Sequence, residues 1–189
     1  IKNPNETLIG SGNNLKVLAP TADFKYYVRF EADCGISDFD STSIIVKPIP
    51  VVSTSDHTIC QNELLSIYIT GNADSYLWSN GLGNNDTVSV SPSNNSTYYI
   101  TASLDGCNII DSVIVTTNSL PTVNASENIG ICFGDSVNIS VGNIGDSTYY
   151  FWDNGIGNTS FSKVKPTVTT TYKVTGTRNG CSASDHTIV

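Results

Sequence analysis

Five cysteines are the residues of this chain best suited to chemistry: Cys34, Cys60, Cys107, Cys132 and Cys181. No two of them form a Cys-x-x-Cys pair and none belongs to a Cys/His cluster, so their spacing does not favour a metal site. Disulfide formation in an oxidising compartment is the chemistry that this pattern favours. A redox role would need an exposed thiol of low pKa beside a basic group, and no such group accompanies these cysteines.

The string Ser-Asp-His-Thr-Ile around His57, repeated around His186, contains the three residue types of a hydrolase triad. Triad residues converge from distant positions, whereas neighbours on one strand point to opposite faces. Asp56 therefore cannot orient His57 across a strand. The two copies also occupy different places relative to their nearest cysteines. We expect no catalytic residues and no enzymatic activity.

The acidic residues are spread singly, without the Asp-x-Asp-x-Asp-Gly pattern of a calcium loop. Asp38, Asp111 and Asp185 each follow a cysteine by four residues. A role in a turn or at a strand edge is the plainer interpretation, and a weak calcium site at a domain junction is the alternative. We otherwise expect no cofactor and no metal.

A repeat of slightly more than 70 residues positions these groups. Cys60 recurs as Cys132 after 72 residues, and Cys107 recurs as Cys181 after 74, as Trp78 does as Trp152. Pro48, Pro50 and Pro121 fall between the units, where proline stiffens a linker. The sequence therefore predicts three domains: the C-terminal half of a repeat at 1–49, and whole repeats at 50–120 and 121–189.

Cysteine pairing follows from the repeat. Each whole unit holds one cysteine near its start and one near its end, which predicts two disulfides within units, Cys60–Cys107 and Cys132–Cys181. A loop of about 50 residues closed in this way is stabilised by roughly 4 kcal/mol in the chain-entropy model. The first segment lacks the matching early strands and their cysteine, so we expect Cys34 to be unpaired by truncation.

Apolar residues alternate with period two in each unit, which is typical of half-buried strands. One row holds Leu65, Ile67 and Ile69, and its copy holds Val137, Ile139 and Val141. A second inward-facing row begins at a tyrosine that follows a proline by six residues, and its three copies are Tyr26, Val28 and Phe30; Tyr98, Ile100 and Ala102; and Tyr172, Val174 and Gly176. The side chains predicted to lie in the cores are Trp78, Trp152, Tyr26, Tyr98 and Tyr172, where the alternative for the two tryptophans is an exposed platform for sugar rings.

Dipeptides that tolerate positive φ separate the rows: Asn80-Gly81, Asp105-Gly106, Asn154-Gly155 and Asn179-Gly180. Short alternating strands with such turns predict an all-β fold of tandem immunoglobulin-like β-sandwich domains, each with one disulfide. In antibody-type domains a tyrosine lies two residues before the second cysteine, whereas Tyr98 and Tyr172 lie nine before it. We therefore expect the disulfide at one end of each sandwich rather than through its middle.

Composition narrows the partners. The net charge is −8 and charged residues make up only 14% of the chain, so there is no cationic surface for nucleic acid or anionic lipid. No apolar run is long enough to span a membrane, and the first residues lack the features of a signal peptide. The expected partners are neighbouring repeats of the same polypeptide, with surface glycans or other cell-surface proteins as further candidates. We expect neither nucleic-acid binding nor membrane insertion.

Four motifs carry a resemblance: Cys132-Phe-Gly-Asp-Ser-Val, Trp152-Asp-Asn-Gly, the stretch from Pro166 to Tyr172, and Asn179-Gly-Cys. Together they resemble the Ig-like repeats of large cell-surface adhesins of Bacteroidota, of which gliding-motility adhesins exported by the type IX system are members. The unit at 50–120 matches more loosely, and 1–49 only in its second half. Asp-Ser/Thr tripeptides also resemble the O-glycosylation signal of Bacteroidota, which implies modification at Ser41, Thr87, Ser112, Ser136 and Ser147.

The resemblance implies a structural or adhesive segment of a secreted or cell-surface protein, which acts as a spacer rod or filament in surface adhesion and gliding motility. The alternative is an accessory carbohydrate-binding module of a secreted polysaccharide-degrading enzyme. That alternative requires exposed aromatic platforms. A third reading is that a strand from another chain completes the half repeat at the start.

Overall fold

A computed structural model describes residues 10–142 and 149–189. Every regular element in these ranges is a β-strand, which confirms the all-β prediction. The chain forms two compact units, of which the first comprises 1–49 with 105–107 and the second comprises 50–104 with 108–189. The second unit holds two separate hydrophobic cores, one in each whole repeat.

The described part of the first unit consists of two short strand pairs: β1 (Phe24–Val28) with β4 (Asp40–Ile44), and β2 (Glu31–Ala32) with β3 (Gly35–Ile36). The expected core row in this segment is wrong. Tyr26 is only half-buried, and Val28 and Phe30 are 65% and 72% exposed. In the described residues 10–49 these two pairs have no second sheet facing them, so a period-two pattern finds no surface to bury against.

Repeat two, predicted at 50–120, folds as two facing sheets. Its strands are β5 (Val52–Ser53), β6 (His57–Cys60), β7 (Leu65–Tyr68), β8 (Thr70–Gly71), β9 (Ser75–Trp78), β10 (Thr87–Val90), β11 (Ser96–Leu104) and β12 (Cys107–Asn118). One sheet has the order β6-β12-β11-β9, and the opposite side is built from the pairs β7–β10 and β5–β8. In the large sheet β6 lies parallel to β12, whereas β11 lies antiparallel to β9. The pairs β7–β10 and β5–β8 are also antiparallel.

Repeat three follows the same plan with β13 (Val137–Ser140), β14 (Tyr149–Trp152), β15 (Phe161–Val164), β16 (Thr171–Arg178) and β17 (Cys181–Ile188). One sheet has the order β14-β16-β17 and faces the pair β13–β15. The chain before β13 again joins the last strand, since the Ile129 amide donates to the Ile188 carbonyl at 2.9 Å. In both repeats the segment before the first cysteine, Cys60 or Cys132, lies beside the last strand, β12 or β17. The last strand pairs with the strand before it, β11 or β16, which in turn pairs with the strand that holds the tryptophan, β9 or β14. This order is the immunoglobulin-like arrangement.

The predicted alternation explains both cores. Ile67, Ile100, Val113 and Val115 are fully buried in repeat two, and Ile139 and Val174 in repeat three. At about 25 cal/mol per Å² of apolar surface, each such side chain contributes roughly 1.5–3 kcal/mol.

The four Asn-Gly and Asp-Gly turns lie where the sequence predicts them. The first residue of each dipeptide has φ between 48° and 57°, and the glycine between 71° and 85°. Because β-branched or bulky residues pay a steric cost there, these dipeptides fix where the chain turns. The turns Asp105-Gly106 and Asn179-Gly180 bring Cys107 and Cys181 to the start of the last strand of their repeats.

Candidate functional site at the junction of two repeats

We call Cys60 and Cys132 the corner cysteines, because each lies at or just after the end of the segment that runs alongside the last strand of its repeat. Cys60 ends β6, which lies parallel to β12 in a register that places Cys60 opposite Asn118. The Gln61 amide donates to the Asn118 carbonyl at 2.9 Å, and the Glu63 carboxylate accepts a hydrogen bond from the Cys60 amide at 2.8 Å. Parallel pairing therefore places the corner cysteine beside the end of the last strand, where the chain leaves the repeat.

We call Cys107 and Cys181 the hairpin cysteines, because each follows the turn that leads into the last strand. Cys181 is 1% exposed and pairs in register with Arg178 across the turn. The Asn118 side-chain amide donates to the Asn179 carbonyl at 3.2 Å. The hairpin of repeat three thus lies against the end of the last strand of repeat two.

A disulfide joins Cys60 to Cys181, which are 121 residues apart. It lies within the second compact unit and connects the corner of one sandwich to the hairpin of the next. Cys34 and Cys132 are exposed thiols, and Cys107 is a half-buried thiol. The junction between the repeats is therefore covalent.

The predicted pairs Cys60–Cys107 and Cys132–Cys181 are wrong, and the strand register gives the reason. Cys60 lies opposite Asn118, at the far end of β12 from Cys107. Eleven residues of strand at about 3.3 Å each separate the two ends by roughly 36 Å. A disulfide requires Cα atoms within about 7 Å, so the two cysteines of one repeat cannot bond to each other.

Repeat three repeats the geometry. Ile129 bonds to Ile188 near the end of β17, and Cys132 lies beyond Ile129 in the same direction. Cys181 begins that strand, so Cys132 and Cys181 also lie at opposite ends of their sandwich. The sequence signal that identifies the bonded pair is the place of each cysteine relative to the first and last strands, not its membership of one unit.

Asn118, Asn179 and Glu63 were missed as junction residues. Asn179 stands out in the sequence only as a turn residue, and Asn118 belongs to a polar run that ends a strand. Their hydrogen bonds depend on the parallel register of β6 and on the approach of the next repeat. No local spacing carries that information.

The Ser-Asp-His-Thr-Ile strings hold strands together. The Asp56 carboxylate accepts a hydrogen bond from the Ile114 amide at 2.8 Å, which ties the first strand region of repeat two to its last strand. In repeat three the Asp185 carboxylate accepts hydrogen bonds from the Ala125 amide and the His186 amide, each at 2.8 Å. The bond from Ala125 ties the start of repeat three to its last strand, β17. The hydrogen bonds from Ala125 and then His186 lower the pKa of Asp185 from its ordinary value of 3.8, against a smaller opposing effect of burial.

Asp185 thus lies at a strand edge, and Asp111 accepts a hydrogen bond from the Ser112 amide at 2.8 Å. Within residues 10–142 and 149–189, no three His, Cys, Asp or Glu side chains come together to hold a metal ion. A calcium site at a junction therefore stays a prediction, for which the described residues offer no group of ligands.

Both tryptophans are core residues. Trp78 is 2% exposed and Trp152 is fully buried, and their indole N–H groups donate to the carbonyls of Asn85 at 2.9 Å and Thr159 at 3.1 Å. Tyr98 and Tyr172 are also buried. A buried indole whose N–H is already bonded offers no face on which a sugar ring could stack.

The serines and threonines with an expected O-glycan lie on strands and turns. Ser41, Thr87 and Ser136 are exposed, and Ser112 is half-buried. Ser147 lies outside the described residues.

A shallow depression lies beside the junction of the two repeats. It is lined by uncharged side chains, those of Gln61, Ser93, Asn94, Asn95, Thr117 and Ser119.

No helix in the described part of the chain is long and apolar enough to cross a membrane. No family model matches the chain, and no curated protein is similar to it in sequence.

Solved structures similar to this chain include tandem immunoglobulin domains. The chain is 13% identical to the N-terminal eight Ig domains of Down Syndrome Cell Adhesion Molecule isoform 1.30.30, with a TM-score of 0.48, and covers 87% of its own length and 30% of that chain. For Sidekick-1 immunoglobulin domains 1–5 the identity is 12%, the TM-score 0.38, and the covered shares 91% and 47%. For extracellular domains 3–5 of Drosophila OTK the identity is 9% and the TM-score 0.36, and the match covers 87% of this chain and 69% of that chain. At these identities and TM-scores the fold assignment rests on strand order, and not on the similarity.

Proposed function

We propose that this chain is a structural segment of a secreted or cell-surface adhesin, in which covalently linked sandwiches form a spacer that resists extension. The observation that carries the proposal is the Cys60–Cys181 disulfide between two successive repeats. Repeat proteins normally rely on non-covalent contacts between neighbours. A covalent junction is what a spacer under tension needs.

The disulfide changes the path of a pulling force. Tension applied at the two ends passes along the chain to Cys60, crosses the sulfur atoms to Cys181, and leaves toward the C-terminus. The residues between the two cysteines include β7 to β16, and they carry no tension while the bond is intact. These strands are therefore shielded from the pulling force, whereas β6 and β17 remain in its path.

Single-molecule stretching tests this function. A separation of 121 residues at about 3.3–3.6 Å per extended residue corresponds to roughly 42 nm of hidden contour length. We expect the native chain, pulled from its ends, to extend by about 42 nm less than the Cys60→Ala variant. Cys107→Ala is the matched control and should stretch like the native chain. An equal final length for the native chain and Cys60→Ala would contradict the proposal.

An extracellular location is part of the proposal, since disulfides persist in oxidising compartments and are rare in the cytosol. The resemblance to Bacteroidota adhesin repeats extends it to attachment at the cell surface, type IX secretion and gliding motility. An antibody against this chain should label intact, unpermeabilised cells of the source organism. Labelling only after permeabilisation would contradict the surface location.

Glycosylation is the remaining element. Hexose-containing masses are expected on peptides of native material that bear Ser41, Thr87, Ser112, Ser136 or Ser147, and unmodified masses throughout would contradict the glycosylation proposal.

The carbohydrate-binding alternative loses its main support, because the tryptophans it would use as platforms are buried. Retention of the chain on an insoluble glycan would restore it.

A further inference from the structure

We propose that Cys132 is a second linking site, which forms a disulfide with Cys34 of a second copy of this chain. The inference concerns the order in which repeats join and does not depend on what the adhesin binds.

The first argument is that the same corner is already occupied one repeat earlier. Cys60 and Cys132 are followed by equivalent turns, in which the Glu63 amide donates to the Cys60 carbonyl and the Asp135 amide to the Cys132 carbonyl, each at 3.0 Å. Cys60 forms a disulfide with Cys181, the hairpin cysteine of the following repeat. Cys132 offers the same corner with an exposed thiol.

The second argument is the surface beside Cys132. Its neighbour Phe133 is 87% exposed. The equivalent residue in repeat two is Gln61, which is half-buried and bonded to Asn118 at the covered junction. An exposed aromatic ring beside an exposed thiol, at the position that a neighbouring repeat covers in repeat two, marks a surface for the same kind of neighbour.

Of the two remaining thiols, Cys34 is the one that can reach another molecule. It lies in the turn between β2 and β3, in the place of a hairpin cysteine, and is exposed. Cys107 is half-buried. A corner that binds a hairpin is a head-to-tail contact, which does not close on itself in a pair and so builds open chains of copies.

The bond forms by thiol–disulfide exchange with a small-molecule disulfide such as oxidised glutathione. The Cys132 thiolate attacks the glutathione disulfide, which gives a mixed disulfide and releases one glutathione thiolate. The Cys34 thiolate of the second copy then attacks the Cys132 sulfur and releases the other glutathione. Two protein thiols lose two electrons and two protons, and one glutathione disulfide becomes two thiols.

The test starts from the native chain, with Cys60–Cys181 intact, incubated with a mixture of reduced and oxidised glutathione. Cleavage before aspartates places Cys34 in peptide 33–37 and Cys132 in peptide 111–134. Random collision of two exposed thiols would give the mixed link only twice as often as either symmetric link. We expect the link between 33–37 and 111–134 to exceed each symmetric link by about twentyfold, which is about tenfold above the random ratio and corresponds to a preference of about 1.4 kcal/mol.

Variants separate docking from simple thiol reactivity. Cys34→Ser and Cys132→Ser should each abolish oligomer ladders on non-reducing gels, whereas Cys107→Ser should leave them unchanged. Phe133→Ser should lower the mixed link at least about tenfold if the ring is buried at the new junction, with the rate of Cys132 alkylation by iodoacetamide unchanged. A statistical mixture of links, or monomers that carry only glutathione, would overturn the inference.

Discussion

Replacement of Cys181 by alanine is the sharpest perturbation of the second unit, since it removes the covalent junction and leaves both cores in place. Cys181→Ala and Cys60→Ala break the same bond and should have similar effects. Cys107→Ala and Cys132→Ala remove thiols that have no disulfide partner. The four single variants therefore form a set in which the pairing alone decides the outcome.

The magnitude follows from the separation of the two cysteines. In the chain-entropy model, a loop of 121 residues restricts the unfolded chain by about 5 kcal/mol at 25 °C. A repeat of about 70 residues is stable by roughly 4–10 kcal/mol in total. Loss of the bond therefore removes half or more of the stability of a repeat. The double variant Cys60→Ala/Cys181→Ala should lose no more than either single variant, apart from small packing effects.

Urea unfolding monitored by tryptophan fluorescence measures the change, because each repeat has one buried tryptophan. For a slope of about 1–2 kcal/mol per molar urea, Cys60→Ala and Cys181→Ala should lower the midpoint by at least about 2 M. Cys107→Ala and Cys132→Ala should change it little. If Cys107→Ala cost as much as Cys60→Ala, the register argument would be refuted.

Peptide mapping gives the same answer without mutation. Cleavage before aspartates isolates Cys60 in 56–73, Cys107 in 105–110, Cys132 in 111–134 and Cys181 in 153–184. Under non-reducing conditions 56–73 should be linked to 153–184. A link from 56–73 to 105–110 would restore the pairing within one repeat.

Three further outcomes follow from the contacts. Asp185→Asn should cost about 1 kcal/mol at pH 7, measured by urea unfolding, because one of two amide donors then faces a side-chain NH₂ group. Since the folded-state pKa of Asp185 is lowered, the native chain should keep this advantage above the ordinary pKa of 3.8 and lose it as the pH falls below that value. Gly71→Ala should destabilise repeat two by about 1–3 kcal/mol in thermal unfolding, because its Cβ would lie 2.1 Å from the Val51 carbonyl oxygen. Trp152→Ala should cost about 3–5 kcal/mol and unfold repeat three before repeat two, as heteronuclear NMR can resolve.

The strands, turns and cores of the two whole repeats could be predicted because their causes are local. Alternation along a strand fixes which side chains face inward, as at Ile67 and Ile139, and an Asn-Gly or Asp-Gly dipeptide fixes where the chain turns. The same alternation failed at Val28 and Phe30. A pattern states which face of a strand is apolar, but a residue is buried only where a second sheet covers that face.

The disulfide could not be predicted from spacing, because it depends on the direction of one strand pair. If β6 had lain antiparallel to β12, Cys60 would have met the hairpin of its own repeat. The parallel register instead places it beside Asn118. Knowledge of the immunoglobulin-like strand order, in which the first strand joins the last in parallel, would have been enough to reverse the pairing.

That direction also changes what two cysteines per repeat can do. A pair inside each sandwich would stabilise every repeat separately and leave the junctions to proline linkers and a few hydrogen bonds. With the corner and hairpin cysteines about 36 Å apart at opposite ends of the last strand, a repeat can satisfy both thiols only by bonding to the neighbour on each side. Two cysteines per repeat, the number needed for one internal bond in each domain, is thus also the number needed for a continuous series of bonds between domains. Only the second arrangement makes the junctions themselves covalent.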